Sequence, residues 1–378
     1  MSEAKKVIVI GPTYPYKGGI AHYTTLMARA LEKRYETELI SYKLQYPKFL
    51  YPGKEQKDFK NDSFKFNHAQ FLINTMNPFN WLNVAHYIKN CNPDAVVVQW
   101  WHPYFAPCYW VLLNIIKRHT KIIFLCHNVL PHERLPMDRF VNKQILKTGD
   151  VIIVQSSLDE ENLLSLLPNA QVTRTVHPTY NAFKLEKMTE NKSREVLSLT
   201  KNDKVLLFFG FVREYKGLKH LIKALPLIKK SIPNIKLLVV GDFYQDKQDY
   251  LDLIKKYEVS QCIEIFDGYI PDDEVEKYFL ASDLVVLPYE SATQSGIVQI
   301  AYGFDKPVVA TDVGGLPEVI THEKTGYIVP PKDPQTLAET IVRFFEQNKA
   351  EFFKKQIKEE SYRFSWDRLV EIVSAYLE

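Results

Sequence analysis

Four short segments carry residue types and spacings that could do chemistry, and each follows an apolar run. In Phe209-Gly210-Phe211-Val212-Arg213-Glu214-Tyr215-Lys216-Gly217, Arg213 and Lys216 lie three residues apart beside two glycines. A guanidinium offers a planar fork and an ammonium a point charge, so the pair suits a diphosphate. One unit charge pair at 4 Å is worth ~4 kcal/mol at an effective dielectric of about 20. Two such contacts matter most where a departing group gains charge. The plainer reading of the segment is a solvated basic turn.

The second segment is Gly11-Pro12-Thr13-Tyr14-Pro15-Tyr16-Lys17-Gly18-Gly19-Ile20, which ends a strand and opens a helix over Ile20–Leu31. Gly18 and Gly19 let backbone N–H groups approach an anion, and the helix N-terminus adds positive potential. The pattern is neither G-x-G-x-x-G nor a P-loop, which takes support from dinucleotide and ATP readings. In the third, Glu290-Ser291-Ala292-Thr293-Gln294-Ser295-Gly296-Ile297-Val298-Gln299, serine and glycine again open a helix. Glu290 is suited to accept hydrogen bonds from sugar hydroxyls, and the plainer reading is helix capping by Thr293 or Ser295. The fourth is Cys126-His127-Asn128, at the end of the run Ile122–Leu125. In open α/β sheets the carboxyl ends of parallel strands face the ligand crevice, although a histidine there is often only structural. His132-Glu133 does not extend to H-E-x-x-H, no D-x-D pair occurs, and Cys91, Cys108, Cys126 and Cys262 form no C-x-x-C. Zinc-protease, metal–diphosphate clamp and disulfide-scaffold readings therefore lack support, and the cysteines read as reduced core residues.

The elements that must position these segments alternate strand and helix. Apolar runs lie at Val7–Ile10, Ala95–Gln99, Ile122–Leu125 and Val151–Val154, then at Val205–Phe209, Ile235–Val240, Cys262–Phe266, Leu284–Leu287 and Pro307–Ala310. Several do not alternate with polar residues, which fits strands covered on both faces. Helical periods such as Leu218–Ile232 and Asp246–Tyr257 separate them. The pattern predicts an α/β chain with parallel sheets. A turn-rich connector at Val176–Asn181 divides two halves, and Ser365-Trp366-Asp367 starts a final amphipathic helix.

The bulk properties agree. The chain has 378 residues, 46% hydrophobic and 25% charged, enough for about two domains. A net charge of +3 does not suggest a nucleic-acid binder. No secretory leader or stretch of ~20 apolar residues occurs, so a cytoplasmic protein is expected. Residues 42–66 combine Lys43, Lys48, Lys54, Lys57, Lys60 and Lys65 with Tyr46, Phe49, Tyr51, Phe59, Phe64 and Phe66. That mixture suits an anionic membrane surface or a lipid-linked acceptor. Trp100, Trp101, His102, Tyr104 and Phe105 could line a sugar platform.

Taken in order, G-P-x-Y-P-x-x-G-G-I, the strand ending in His127-Asn128, F-F-G-F-V-R-E-Y-K-G-L, and Val308–Ile320 followed by Gly326–Pro330 resemble the group-1 retaining glycosyltransferases of the GT-B class. The resemblance covers nearly the whole chain and is most specific in its last two motifs. It implies two Rossmann-like domains, 1–180 on the acceptor side and 181–361 for the nucleotide sugar, facing across a cleft. A C-terminal helix, 362–378, would return to the first domain. It implies transfer of a sugar from a nucleotide diphosphate to an acceptor hydroxyl with retained configuration, in polysaccharide, lipid-linked glycan or glycolipid synthesis. By position, Arg213 and Lys216 would stabilise the departing diphosphate and His127 would hydrogen-bond the transferred sugar. Gly18 and Gly19 would approach the donor, and Ser295, Gly296 and Ile297 would offer N–H groups to its phosphates, with Gln294 in the same loop. No metal and no cofactor beyond the donor is expected. The family's paired glutamates fall on Ala292 and Ile300, so Glu290 and Gln299 are the neighbours that would take their place. The basic residue that often follows the first glycine directly is here displaced to Arg213. Expected partners are a nucleotide-sugar donor, a glycan or lipid-linked acceptor, and peripheral contact with an anionic membrane at its inner face. Two other readings share these features: a sugar-nucleotide epimerase of the same architecture, and a non-catalytic binding partner of a glycan pathway.

Overall fold

The structure, a computed structural model, describes residues 5–50, 55–59, 62–130, 137–243 and 247–377. Tyr51, Lys54, Lys60, His132, Glu133 and Asp246 lie outside the described residues. The chain divides into two compact units: residues to Val176 together with those from Ser365 onward, and His177–Phe364.

The first unit is built on β1 (Lys6–Ile10), β2 (Glu36–Leu44), β3 (Ala69–Asn74), β4 (Ala95–Trp100), β5 (Lys121–Cys126), β6 (Val151–Val154) and β7 (Val172–Arg174). They form one parallel sheet in the order β3-β2-β1-β4-β5-β6-β7. The second unit holds β8 (Lys204–Phe209), β9 (Ile235–Gly241), β10 (Ile263–Asp267), β11 (Leu284–Leu287), β12 (Val308–Thr311) and β13 (Gly326–Val329). These are also parallel, in the order β10-β9-β8-β11-β12-β13. The apolar runs became strands because β4, β6, β11 and β12 are buried along their whole length between helical layers. The architecture is the expected α/β one.

Strand order reverses at β1/β4 in one sheet and at β8/β11 in the other. Such switch points open a crevice at the carboxyl ends of the strands. The loop 11–18 leaves β1 and His127 follows β5, while the loops 210–217 and 288–295 leave β8 and β11. Four strands lie where no apolar run drew attention, β2, β3, β7 and β13. Consequently Tyr42 is a buried strand residue whose hydroxyl meets that of Tyr109, and Phe64 and Phe66 are also core.

The last helix, Trp366–Ser374, belongs to the first unit. Ser365 caps it by accepting from the Arg368 N–H at 3.1 Å. The Tyr35 hydroxyl donates to Ser374 Oγ at 2.6 Å, and the Trp366 ring packs edge-on against Tyr23 at 4.9 Å. Cys108, Cys126 and Cys262 are buried, and all four cysteines are free thiols. Among the described residues no helix is long and apolar enough to cross a membrane.

Candidate active site

In the second unit the chain leaves β8 at Gly210, whose φ of 98° is a conformation that side-chain-bearing residues rarely adopt. A Cβ there would sit 3.2 Å from Lys216 Nζ and 3.5 Å from Ile297 Cδ1. The ammonium and the first turn of the helix Gly296–Gly303 thus close over a bare glycine backbone. The loop then folds back: Val212 N–H donates to the Asp242 carbonyl at 2.9 Å, and residues 214–216 make a single 3-10 turn. This turn brings Lys216 to 5.7 Å from the centroid of the Tyr289 ring. Burial lowers the Lys216 pKa to about 8, and the positive charge of Arg213 adds to the depression. Two cations held near one another favour the arrival of an anion.

The loop after β11 is tied to the same place. Glu290 N–H donates to the Tyr215 carbonyl at 2.6 Å, next to Lys216. Its carboxylate receives His220 Nε2 at 2.8 Å and Lys219 Nζ at 2.9 Å on Oε1, and Lys332 Nζ at 3.0 Å on Oε2. Burial would raise the Glu290 pKa, but the hydrogen bonds from Lys219, His220 and Lys332 outweigh it and hold it at about 2. Both oxygens of Glu290 are therefore engaged by the protein's own cations. Ser295 opens the helix Gly296–Gly303 without a side-chain cap, its hydroxyl lying 3.4 Å from that of Tyr289. Ser295 thus leaves the first-turn N–H groups uncapped by its own side chain, and a helix N-terminus favours an anion. Gln294 is half-buried in the same loop. Gln299 is buried and among the described residues its side-chain oxygen has no hydrogen-bond partner, while its carbonyl accepts from Tyr180 N–H at 3.3 Å.

In the first unit, Gly18 has φ 106° with open space where a Cβ would project, and Gly19 begins the helix Gly19–Glu32. That helix has no acidic residue in its first turn and no side-chain cap. The loop before it is fixed by the Thr13–Thr25 hydroxyl pair at 2.6 Å and by Tyr16, whose hydroxyl donates to the Tyr42 carbonyl at 2.8 Å. Segment 55–59 runs alongside: Lys17 N–H donates to Gln56 and Asp58 N–H to Pro15, at 3.0 and 2.7 Å.

His127 N–H donates to the Trp100 carbonyl at 2.8 Å, and its Nε2 lies 2.8 Å from Gln99 Oε1. The ring edge meets Tyr23 at 4.6 Å, whose hydroxyl accepts from Gln155 Nε2 at 3.1 Å. Of the five residues expected to line a sugar platform, Trp100 and Phe105 are buried in the core, a correction. Phe105 packs against Trp101 and Tyr104, which are half-buried, and Trp101 Nε1 donates to Tyr46 Oη at 3.2 Å.

The structure thus gathers Gly210, Arg213, Lys216 and Ile297 at the mouth of β8, with Glu290 and Ser295 beside them. Spacing along the chain did not single out Tyr289, Lys219, His220 and Lys332, nor Tyr23 and Gln155. Gln99 did leave a signal, as the polar residue that ends an apolar run. Among the described residues no group of three or more His, Cys, Asp or Glu side chains is placed to hold a metal ion.

Two parallel-sheet units of this kind define the GT-B class. Solved structures share the fold, among them HepE of Anabaena with UDP, TM-score 0.73 at 17% identity over 99% of both chains. Residues 189–362 match the family described as glycosyl transferases group 1, and residues 17–182 match glycosyltransferase family 4. The chain belongs to the group-1 glycosyltransferases. It is 34% identical over 190 residues to an uncharacterized glycosyltransferase of Methanocaldococcus jannaschii, covering 48% of this chain and 47% of that one. It is 24% identical over 256 residues to the D-inositol 3-phosphate glycosyltransferase of Corynebacterium urealyticum, covering 62% and 58%. The chain therefore spans about half the length of these curated relatives.

Proposed function

We propose that the protein is a retaining glycosyltransferase that moves a sugar from a nucleotide diphosphate to an acceptor hydroxyl of a glycan or lipid-linked glycan. The observation that carries this reading is the pair Arg213 and Lys216 beside Gly210, with the ammonium pKa lowered to about 8 by burial and by the neighbouring guanidinium. The fold neighbour HepE was solved with UDP and with UDP-glucose, which supports a nucleotide-diphosphate sugar as donor.

In the proposed reaction the bond between the anomeric carbon and the diphosphate oxygen breaks. Negative charge grows on that oxygen, and Arg213 and Lys216 neutralise it. The N–H groups of Ser295, Gly296 and Ile297 hold the phosphates, with Gln294 and Gln299 as further donor contacts. The acceptor oxygen bonds the anomeric carbon on the face the diphosphate leaves, and its proton passes to the departing phosphate oxygen. His127 orients the sugar, and Gly18 and Gly19 admit the donor close to the backbone. Glu290 acts on the donor indirectly, by holding the loop that carries these N–H groups. The charge neutralisation assigned to the two cations is what a divalent metal supplies in other transferases.

The test is the double variant R213A/K216A, assayed for nucleotide diphosphate release against a panel of nucleotide sugars with an acceptor extract. Each lost contact should cost about 100-fold in kcat, with the fold retained by circular dichroism. Normal turnover by the double variant contradicts the assignment.

A further inference from the structure

The imidazole of His127 is held by more than its contact with Gln99. The outer torsion of a histidine side chain is broad. One hydrogen bond at Nε2 fixes which nitrogen faces the protein, and leaves the tilt of the ring to packing. That tilt is set by Tyr23, whose ring stands at 89° to the imidazole with 4.6 Å between centroids. His127 is half-buried, while Tyr23, Gln99 and Gln155 behind it are buried. Tyr23 is itself fixed from two further directions. Its hydroxyl accepts from Nε2 of Gln155, the residue that follows β6, at 3.1 Å. The Trp366 ring packs on it at 4.9 Å and 70°. Trp366 opens the last helix, which Ser365 caps at its start. Beyond the end of that helix, Lys121 Nζ donates to the Tyr376 carbonyl at 2.5 Å, and the Tyr376 hydroxyl meets that of Thr173.

Both anchors of His127 trace to one face of one helix. Tyr23 and Met27 lie one turn apart on the helix Gly19–Glu32, and both are fully buried. Tyr23 meets the imidazole ring, and the Met27 sulfur meets the amide of Gln99. Filling the core does not call for this polarity. Gln155 Oε1 is buried and has no hydrogen-bond partner among the described residues. Phenylalanine at 23 with leucine at 155 would fill similar space without leaving a carbonyl oxygen unsatisfied. A buried amide kept for one bond to a tyrosine hydroxyl points to a task for that tyrosine.

We propose that Tyr23 is a positioning residue for His127, braced by Gln155 at its hydroxyl and by Trp366 of the last helix at its ring. The proposal rests on the assignment of His127 to the transferred sugar. A ring that tilts carries its hydrogen-bonding nitrogen off the sugar, which harms the reacting geometry more than donor binding. The last helix thereby supports the site, although none of its residues is assigned to the donor.

The experiment compares the full chain with its Y23L, Y23F and W366L variants. Nitrogen-15 spectra of histidine-labelled protein, with H127Q to assign the signal, report the His127 ring without any substrate. UDP release from UDP-glucose gives kcat and KM, and a thermal melt follows the fold. Y23L should shift or broaden the His127 signal and lower kcat about tenfold or more, with KM and UDP affinity within about twofold of wild type. W366L should act in the same direction. Y23F keeps the ring and loses only the hydroxyl, so it should fall between wild type and Y23L. A Tyr23 that merely fills the core would lower the melting temperature while the His127 signal and kcat stay unchanged in Y23L and W366L, which overturns the proposal. Y23F as impaired as Y23L also overturns it, since the ring contact would then do nothing. If Y23L does not fold, W366L and Y23F decide by the same signal. Absence of UDP release by the wild type would count against the transferase reading alone, because the His127 signal needs no turnover.

Discussion

His127 and Gln99 form a pair in which the imidazole Nε2 lies 2.8 Å from a buried side-chain carbonyl. The amide is itself oriented, because Gln99 Nε2 faces the Met27 sulfur at 3.3 Å. With the carbonyl oxygen toward the ring, Nε2 must carry the proton, which makes Nδ1 the acceptor in the neutral imidazole. Replacing Gln99 by Leu removes the acceptor that fixes this tautomer. Turnover should fall about tenfold, the worth of one lost hydrogen bond, with nucleotide affinity unchanged. Nitrogen-15 spectra of histidine-labelled protein check the tautomer directly, with H127Q to assign the signal.

The carboxylate of Glu290 binds side chains from two separate segments, 219–220 and 332, and its pKa of about 2 lies below the ordinary 4.5. A depressed carboxylate pKa contributes stability above the unfolded value that is lost as pH falls through the folded value. The loss should therefore run from about pH 4.5 to about pH 2, and a shift of this size corresponds to roughly 3 kcal/mol. E290Q should be less stable than wild type at neutral pH and should lack this acid limb. Urea denaturation at a series of pH values measures both effects.

Gly210 tests the close approach of Lys216. An alanine at φ 98° is strained, by about 1–3 kcal/mol, and its Cβ would press on the ammonium 3.2 Å away. G210A should weaken UDP binding at least about tenfold, more than the loss of stability alone explains. Calorimetry with UDP, beside a thermal melt, separates the two.

Legibility in the sequence followed the reach of the interactions involved. The buried strands announced themselves, because β4 and β12 need no partner information to read as apolar runs. The segment Glu36–Leu44 did not, since its glutamates and lysine mask a strand made regular only by pairing with β1 and β3. The Arg213–Lys216 pair was visible because its members lie only three positions apart. The setting of Glu290 was hidden, because Lys219 and Lys332 lie 71 and 42 residues from it along the chain. Tyr23 and Gln155 were invisible for the same reason: their hydrogen bond joins positions 132 residues apart.

On the proposed function Arg213 and Lys216 await a diphosphate, and Lys216 offers the most direct test of it. Its pKa in the free protein is about 8, and a bound diphosphate should raise it, so affinity is full below that value and declines above it. Calorimetric UDP affinity of the wild type should therefore fall about tenfold between about pH 7 and pH 9 beyond any change seen in K216R, whose guanidinium does not titrate there. The same pH dependence in both proteins would contradict the account.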